Sequence, residues 1–282
     1  TSTNEFYTYA LGTSSTYELT SYFESDKYQQ TAANSGNPDP TTYAIGSNLS
    51  ITPFIHGLVG YWSFNDASGG LNSNTADSSG WGNYGTLQDS TSTGTGPTYQ
   101  SSGCISGGCL SYDGVDDHVV LNNISTVLEP IASGISSPSF SLAAWVNPQT
   151  GCLYQQFILS KSGYHQGLNG GSCTTMGYML WNSSDVAKGI NGPTLTTGMW
   201  HLLVGTWNST NGLMNYYVDG VSVGTNTQTS LRSYGTNPFY IGGVGYAPST
   251  DFASKGIVDD VYVYSVALSA AQVKAMYNAG NP

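Results

Sequence analysis

Residues 199–224 read MWHLLVGTWNSTNGLMNYYVDGVSVG. Three short runs, WHLLVGTWN (200–208), LMNYYVDG (213–220) and VSVGT (221–225), are rich in the aliphatic, aromatic and β-branched residues that suit a pleated, half-buried surface. Asp219-Gly220 stands between NYYV and VSVG, and a two-residue Asp-Gly link between such runs predicts a tight β-hairpin. Outward from this hairpin the same pattern repeats. On the N-terminal side lie GYWSF (60–64), LSYDG (110–114), HVVLN (118–122), SFSLAAWVNP (139–148), QFILSK (156–161) and GYMLW (177–181). On the C-terminal side lie PFYIGG (238–243) and IVDDVYVYSVAL (257–268). So many short strands divided by turn residues predict an all-β fold, an antiparallel sandwich or barrel. One helix is predicted near the end: Ser269 caps AAQVKAMYN, Val273, Met276 and Tyr277 share a face, and Gly280 follows.

Only 8% of the 282 residues are charged, about a third of the usual share. Gly, Ser, Thr, Asn and Tyr fill the gap, giving a polar but uncharged surface suited to an extracellular or cell-surface protein. The net charge is -11, with six Lys and Arg in all. Nucleic acid and anionic membranes both need clustered cations, so neither is expected as a partner. No apolar run reaches spanning length. The chain opens on Thr1 without a visible signal peptide, as an interior start would, so targeting segments are expected to have been cleaved or left out.

Cys104, Cys109, Cys152 and Cys173 allow three pairings. The expected bonds are 104–109, across the turn-like ISGG, and 152–173, across a hairpin, because each closes locally. A zinc site finds neither a CxxC nor a paired His spacing. Disulfides imply an oxidising compartment. Residues 34–53, NSGNPDPTTYAIGSNLSITP, read as a linker or irregular loop. EFYTYAL and TYELTSYFES before it read as a hairpin followed by a helical turn. A boundary is placed near residue 55, dividing a small β-rich segment (1–55) from the main domain (56–282).

Retaining glycosidases with a sandwich fold need two carboxylates about 5–5.5 Å apart, hence a Glu-x-Asp-x-x-Glu run on one strand. The chain has Glu5, Glu18, Glu24 and Glu129, and only Glu129 lies in the main domain, with no acid within ten residues. No Gly-x-Ser-x-Gly elbow is present, and His56, His118, His165 and His201 are isolated. The chain is therefore read as non-catalytic. Sugar rings stack on aromatic planes. Trp62, Trp145, Trp200 and Trp207 fall in strand patterns and are assigned to the core. Trp81, Tyr84, Tyr164, Trp181, Tyr234 and Tyr246 fall in or near loops and are the candidate ligand contacts. Asn-x-Ser/Thr sequons occur at Asn48, Asn123, Asn182 and Asn208.

DSSGWGNYG (77–85) suits neither helix nor strand. Calcium takes six to eight oxygens, many from backbone carbonyls, so a glycine-rich loop with Asp77 and a second acid from a distant strand could cage it. The competing reading is a glycine turn capped by Asp77, with Asp259 and Asp260 at a strand end. DGVDDH (113–118) is read as a turn bent at Asp113-Gly114.

In order, GLVGYWSFND (57–66), ADSSGWGNYGTL (76–87), LSYDGVDDHVVL (110–121), FSLAAWVNP (140–148), MWHLLVGTWN (199–208), NYYVDGVSVG (215–224) and IVDDVYVYSVALSAAQVKAMYNAG (257–280) resemble the laminin-G-like jelly roll of the concanavalin A-like lectin/glucanase superfamily. The resemblance implies two stacked antiparallel sheets and a binding or adhesive role. It also implies calcium between the 77–85 loop and the 259–260 strand, held first by Asp77 and Asp259, then by Asn83 and Asp260. More weakly, YTYALGTSSTYELTSYFESDKY is similar to the strand-rich end of bacterial type IV pilin-like proteins. The expectation is an extracellular binding domain for a glycan or surface protein, stabilised by calcium. The alternative is a subunit of a surface filament, in contact with other pilin-like subunits, that displays the jelly roll.

Overall fold

The computed structural model describes residues 57–66, 70–89, 95–121, 139–152, 155–161, 166–235, 237–243 and 253–280, with the backbone of three strands nearer the N-terminus. Residues 1–57 and 58–282 form two compact units. In the first, β1 (Tyr7–Leu11), β2 (Tyr17–Tyr22) and β3 (Thr42–Gly46) make an antiparallel sheet in that order. The β1–β2 pair is the expected hairpin; the helical turn after it lies outside the described residues. Strand β3 corrects the reading of 34–53 as irregular throughout. Its Thr42-Tyr43-Ala44-Ile45 alternates, and it pairs with β2 from Glu18 to Tyr22.

The second unit opens with β4 (Leu58–Trp62), β5 (Asn74–Thr75), β6 (Gly85–Asp89), β7 (Thr98–Gln100), β8 (Cys109–Asp113) and β9 (Asp117–Leu121). The middle holds β10 (Phe140–Pro148), β11 (Gln156–Lys161), β12 (Gln166–Gly170), β13 (Thr175–Trp181) and β14 (Ala187–Thr194). Last come β15 (His201–Trp207), β16 (Leu213–Val218), β17 (Val221–Thr227), β18 (Phe239–Ile241), β19 (Lys255–Tyr264) and helix α1 (Ala270–Gly280). One sheet runs β17-β16-β15-β10-β19-β8-β7, with β4 also on β19; the other runs β14-β13-β12-β11-β18-β9-β6-β5. The result is a two-sheet antiparallel sandwich, a jelly roll with one short C-terminal helix.

Packing between the sheets explains the strand composition. Leu142, Ala144 and Val146 of β10, Leu203 of β15 and Val261 and Val263 of β19 meet Leu87, Val119, Leu121, Leu159 and Ile241 of the other sheet in one core. β10 is buried along its whole length, and on its outer face Ser141 Oγ accepts from Leu268 N–H at 2.9 Å, in the segment that leads into α1. Trp145 stacks on Tyr277 of that helix with ring centres 5.7 Å apart. The helix begins in a capping box: Gln272 N–H donates to Ser269 Oγ at 3.3 Å, and Ser269 N–H donates to Gln272 Oε1 at 2.8 Å. Among the described residues no helix is long and apolar enough to cross a membrane.

The Asp219-Gly220 hairpin forms as its sequence requires. Both residues have positive φ, 53° and 73°, the signature of a type I′ turn. Asp219 also reaches back to the preceding strand. Its Oδ1 accepts from Leu202 N–H at 3.0 Å, and its Oδ2 lies 2.8 Å from His201 Nδ1. This bond raises the His201 pKa above its ordinary value, against partial burial.

Candidate functional site

The site grows from an edge problem. β19 has two successive partners on one side: Lys255–Val258 pairs with β8, and Val261–Tyr264 pairs with β4. Among the described residues β4 has no strand on its other side, and an open edge exposes unpaired backbone groups. The loop 77–83 satisfies them. Tyr61 N–H donates to Asp77 Oδ1 at 2.9 Å, and Ser78 N–H donates to Tyr61 O at 2.7 Å. The Asn83 amide donates to Val59 O at 2.7 Å, and the Trp81 indole N–H donates to Leu58 O at 3.0 Å.

Asp77 organises the loop itself. Its Oδ1 also accepts from Ser79 N–H and its Oδ2 from Asn83 N–H, each at 2.9 Å. The Asn83 carbonyl accepts from the buried indole of Trp62 at 2.8 Å. Gly80 and Gly82 have φ of 88° and 76°, the left-handed region that glycine enters without strain. Gly85 enters β6 so closely that a Cβ there would lie 2.6 Å from Val119 Cγ1.

Asp259 and Asp260 sit at the joint where β19 changes partner. Asp260 is the extra residue of a β-bulge opposite Ala144, with φ of 45°. Asp259 is fully buried. Its Oδ2 accepts from Ile105 and Ser106 N–H at 2.8 and 3.3 Å, and its Oδ1 from Asp260 N–H at 2.8 Å. Asp260 Oδ1 accepts from the Tyr61 hydroxyl at 2.7 Å. Burial and the neighbouring Asp260 push the Asp259 pKa up to about 7 against these N–H donors, and burial pushes Asp260 up to about 6. The disulfide Cys104–Cys109 closes the turn that Asp259 holds, and Cys152–Cys173 closes the other expected pair.

The fit to calcium can be tested on this geometry. Oxygens around one calcium ion lie within about 5 Å of one another. Among the described residues, ligating side-chain atoms gather within 4.8 Å in two triplets, Cys104/Cys109/Asp259 and Asp113/Asp116/Asp117. Asp77 belongs to neither, and two members of the first are bonded to each other. The oxygens of Asp77 and Asp259 are turned to N–H donors, and the Asn83 amide is a donor itself. Asp77, Asn83, Asp259 and Asp260 do not fit one cage. The second triplet is a turn: Val115 N–H donates to Asp113 Oδ1 at 2.8 Å and Asp113 N–H to Asp117 Oδ2 at 2.9 Å.

Of the aromatic candidates, Trp81 is 69% exposed and Tyr84 48% exposed. Trp181 is half-buried at the end of β13. Tyr234 is buried, with the Arg232 guanidinium 5.5 Å from its ring centre. Burial removes Tyr234 from the accessible set. Tyr164 and Tyr246 lie outside the described residues. The sequence reading missed Asp66, which accepts from Ala76 N–H at 2.7 Å and holds the start of the loop. Its signal was an isolated acid closing GYWSFND.

The two-sheet antiparallel sandwich, with its anchored, solvent-facing aromatic loop, defines the architecture as a jelly roll. Residues 113–274 match the family described as the concanavalin A-like lectin/glucanases superfamily, and the chain belongs to it. No curated protein sequence matches it. Among solved structures it is similar to domain 4 of the extracellular GH43 arabinanase AbnA from Geobacillus stearothermophilus, in complex with arabinotriose. That match has TM-score 0.54 and 20% identity over 78% of this chain and 98% of that one. It is also similar to the receptor binding domain of botulinum neurotoxin D (TM-score 0.58, 12% identity, 80% of this chain and 54% of that one). A third is the serotype D ligand binding domain in complex with N-acetylneuraminic acid (TM-score 0.55, 13% identity, 79% and 51%). The chain spans about half the length of those toxin domains. These neighbours are carbohydrate- or receptor-binding domains, and the likeness establishes the shared fold. None of these matches supports the pilin-like resemblance of residues 1–55.

Proposed function

We propose that the second unit is a non-catalytic, extracellular carbohydrate-binding module whose contact surface is the Trp81–Tyr84 loop. The observation that carries this reading is the exposure of Trp81 on a loop that is otherwise tied down. The residue is 69% exposed while its indole N–H is fixed on Leu58 O. A large aromatic plane held in water costs the free protein solvation, and a preorganised plane loses little entropy when a sugar stacks on it. The ligands held by two neighbours, arabinotriose and N-acetylneuraminic acid, support a saccharide as the partner class. The two disulfides support an oxidising, extracellular setting. In this reading the loop needs no calcium, because Asp77 already organises it. The test is a glycan array probed with the native chain and with Trp81→Ala, followed by reducing-sugar assays on every hit. Expected are hits lost in the variant and no released sugar; released sugar, or hits indifferent to Trp81, would overturn the reading.

A further inference from the structure

We infer that the Trp81–Tyr84 surface takes an uncharged saccharide and rejects glycans bearing carboxylate or sulfate; this rests on the carbohydrate reading above. The argument is electrostatic and begins with where the cations are. Of the chain's six Lys and Arg, Lys27 lies outside the described residues, Lys255 and Lys188 stand far from the loop, and the other three are held in contacts elsewhere in the fold. Trp81 is anchored on Leu58, which pairs with Tyr264, whereas Lys255 is at the opposite end of the ten-residue β19. That separation is about 30 Å along a strand. Lys188 lies on β14, the far edge of the other sheet, six strand spacings from β6, which is about 29 Å. Lys161 is buried, with its ammonium on Gly235 O and over the Phe239 ring. Arg232 is paired with Asp185, and Lys274 lies over Tyr277 on the helix.

The acids are close by contrast. Asp77 is in the loop itself, Asp66 holds Ala76 at its start, and Asp260 bonds Tyr61 on the strand beneath. The Debye length is about 8 Å at physiological salt, so charges 30 Å away are screened while those within the loop are not. An acidic sugar stacked on Trp81 would therefore meet like charge, with no cation beside it among the described residues. A neutral sugar meets what the surface does supply: the exposed rings of Trp81 and Tyr84, and the exposed Ser78 of the same loop.

The experiment compares, on the full chain, matched glycans that share one core and differ only in a terminal sialic acid, uronic acid or sulfate. Binding is read at about 0.01 M and about 0.15 M salt. The neutral members should bind, and the acidic group should weaken the same core by about tenfold, more at the lower salt. A second variant, Ser78→Lys, places a cation beside the rings. It should narrow the gap between the neutral and acidic members while still binding the neutral core, which shows that it folds. An acidic member that binds at least as well as its neutral parent, and loses that binding in Trp81→Ala, overturns this inference and leaves the carbohydrate reading standing. No binding by any member, or binding untouched by Trp81→Ala, overturns both.

Discussion

The 215–224 hairpin and the 77–85 loop are both centred on an aspartate and furnished with glycine, yet they hold their shapes in different ways. In the hairpin, the turn residues are themselves the instruction: Asp219 and Gly220 adopt positive φ between two adjacent strands. In the loop, the instruction is divided. Asp77 gathers Ser79 and Asn83 locally, but its purpose is the unpaired edge of β4, met through Tyr61. The first motif is complete within ten residues of sequence, and the second is completed only when the fold brings β4 alongside it.

Acidity separates the two regions most. Beneath the loop, Asp259 and Asp260 have folded pKa values of about 7 and about 6, above the ordinary 3.8. The unfolded chain releases these protons first as pH rises, so the folded state binds more protons between about pH 4 and 7 and loses stability across that window. One proton of difference is worth about 1.4 kcal/mol per pH unit. His201 at the hairpin has a raised pKa, so its contribution is complete below its unfolded value of 6.5 and fades as pH rises through the folded one. Denaturant unfolding should therefore show a fall from pH 4 to 7 that Asp259→Asn flattens. A separate fall should begin near neutrality, and His201→Gln should remove it. Identical profiles in both variants would erase the distinction.

Next in size is Asp77→Ala. It strands the amides of Tyr61, Ser79 and Asn83 at once, and hydrogen bonds to a charged acceptor are worth about 1.5–3 kcal/mol each. Water can reach part of the loop, so the expected loss is about 3 kcal/mol, read as a lower denaturation midpoint with fast exchange at Tyr61 N–H. Chelator should leave the native midpoint unchanged if these three N–H donors suffice to hold the carboxylate. A midpoint that falls on chelation would show that the N–H donors alone do not hold the loop.

What the sequence disclosed follows from the same division. Strands with strong alternation or long apolar runs, such as SFSLAAWVNP and IVDDVYVY, were legible, as were the type I′ turn and the capped helix. β14, AKGINGPT, was not: it lies on a sheet edge with most positions exposed, so nothing in its composition marks a strand. β3 was hidden by the Pro, Asn and Gly residues around it. In the 77–85 loop, the exposure of Trp81 and Tyr84 was legible because loop chemistry is local. The hydrogen-bond roles of Asp77 and Asp259 were not legible, because both acids have partners, Tyr61 and Ile105, that are 16 and 154 residues away. Spacing cannot reveal such partners.

Asp219→Ala sharpens the hairpin side. It loses the bonds to Leu202 and His201 and puts a Cβ-bearing residue without a polar side chain into positive φ, for about 2 kcal/mol. Asp219→Asn keeps a residue that tolerates the left-handed region and should cost about half as much. Equal losses in the two variants would mean that the turn geometry contributes nothing beyond the carboxylate.

Trp81→Ala should have the smallest effect on the fold. The side chain contributes one bond, indole N–H to Leu58 O, and most of its surface is already in water. Little apolar area leaves solvent when the chain folds around it, and the Leu58 carbonyl can turn to water instead. The expected change in stability is below about 1 kcal/mol. The same substitution should abolish glycan binding, since it removes the larger and more exposed of the two rings on the loop that Asp77 and Asn83 hold in place. Asp77→Ala should then weaken binding less completely than Trp81→Ala while costing far more stability. Measuring both variants by denaturant melts and by array binding gives two rankings, and the rankings should be reversed. If Trp81→Ala instead destabilises the fold by several kcal/mol, the indole is a structural pin of the β4 edge, and its exposure is a by-product of closing that edge.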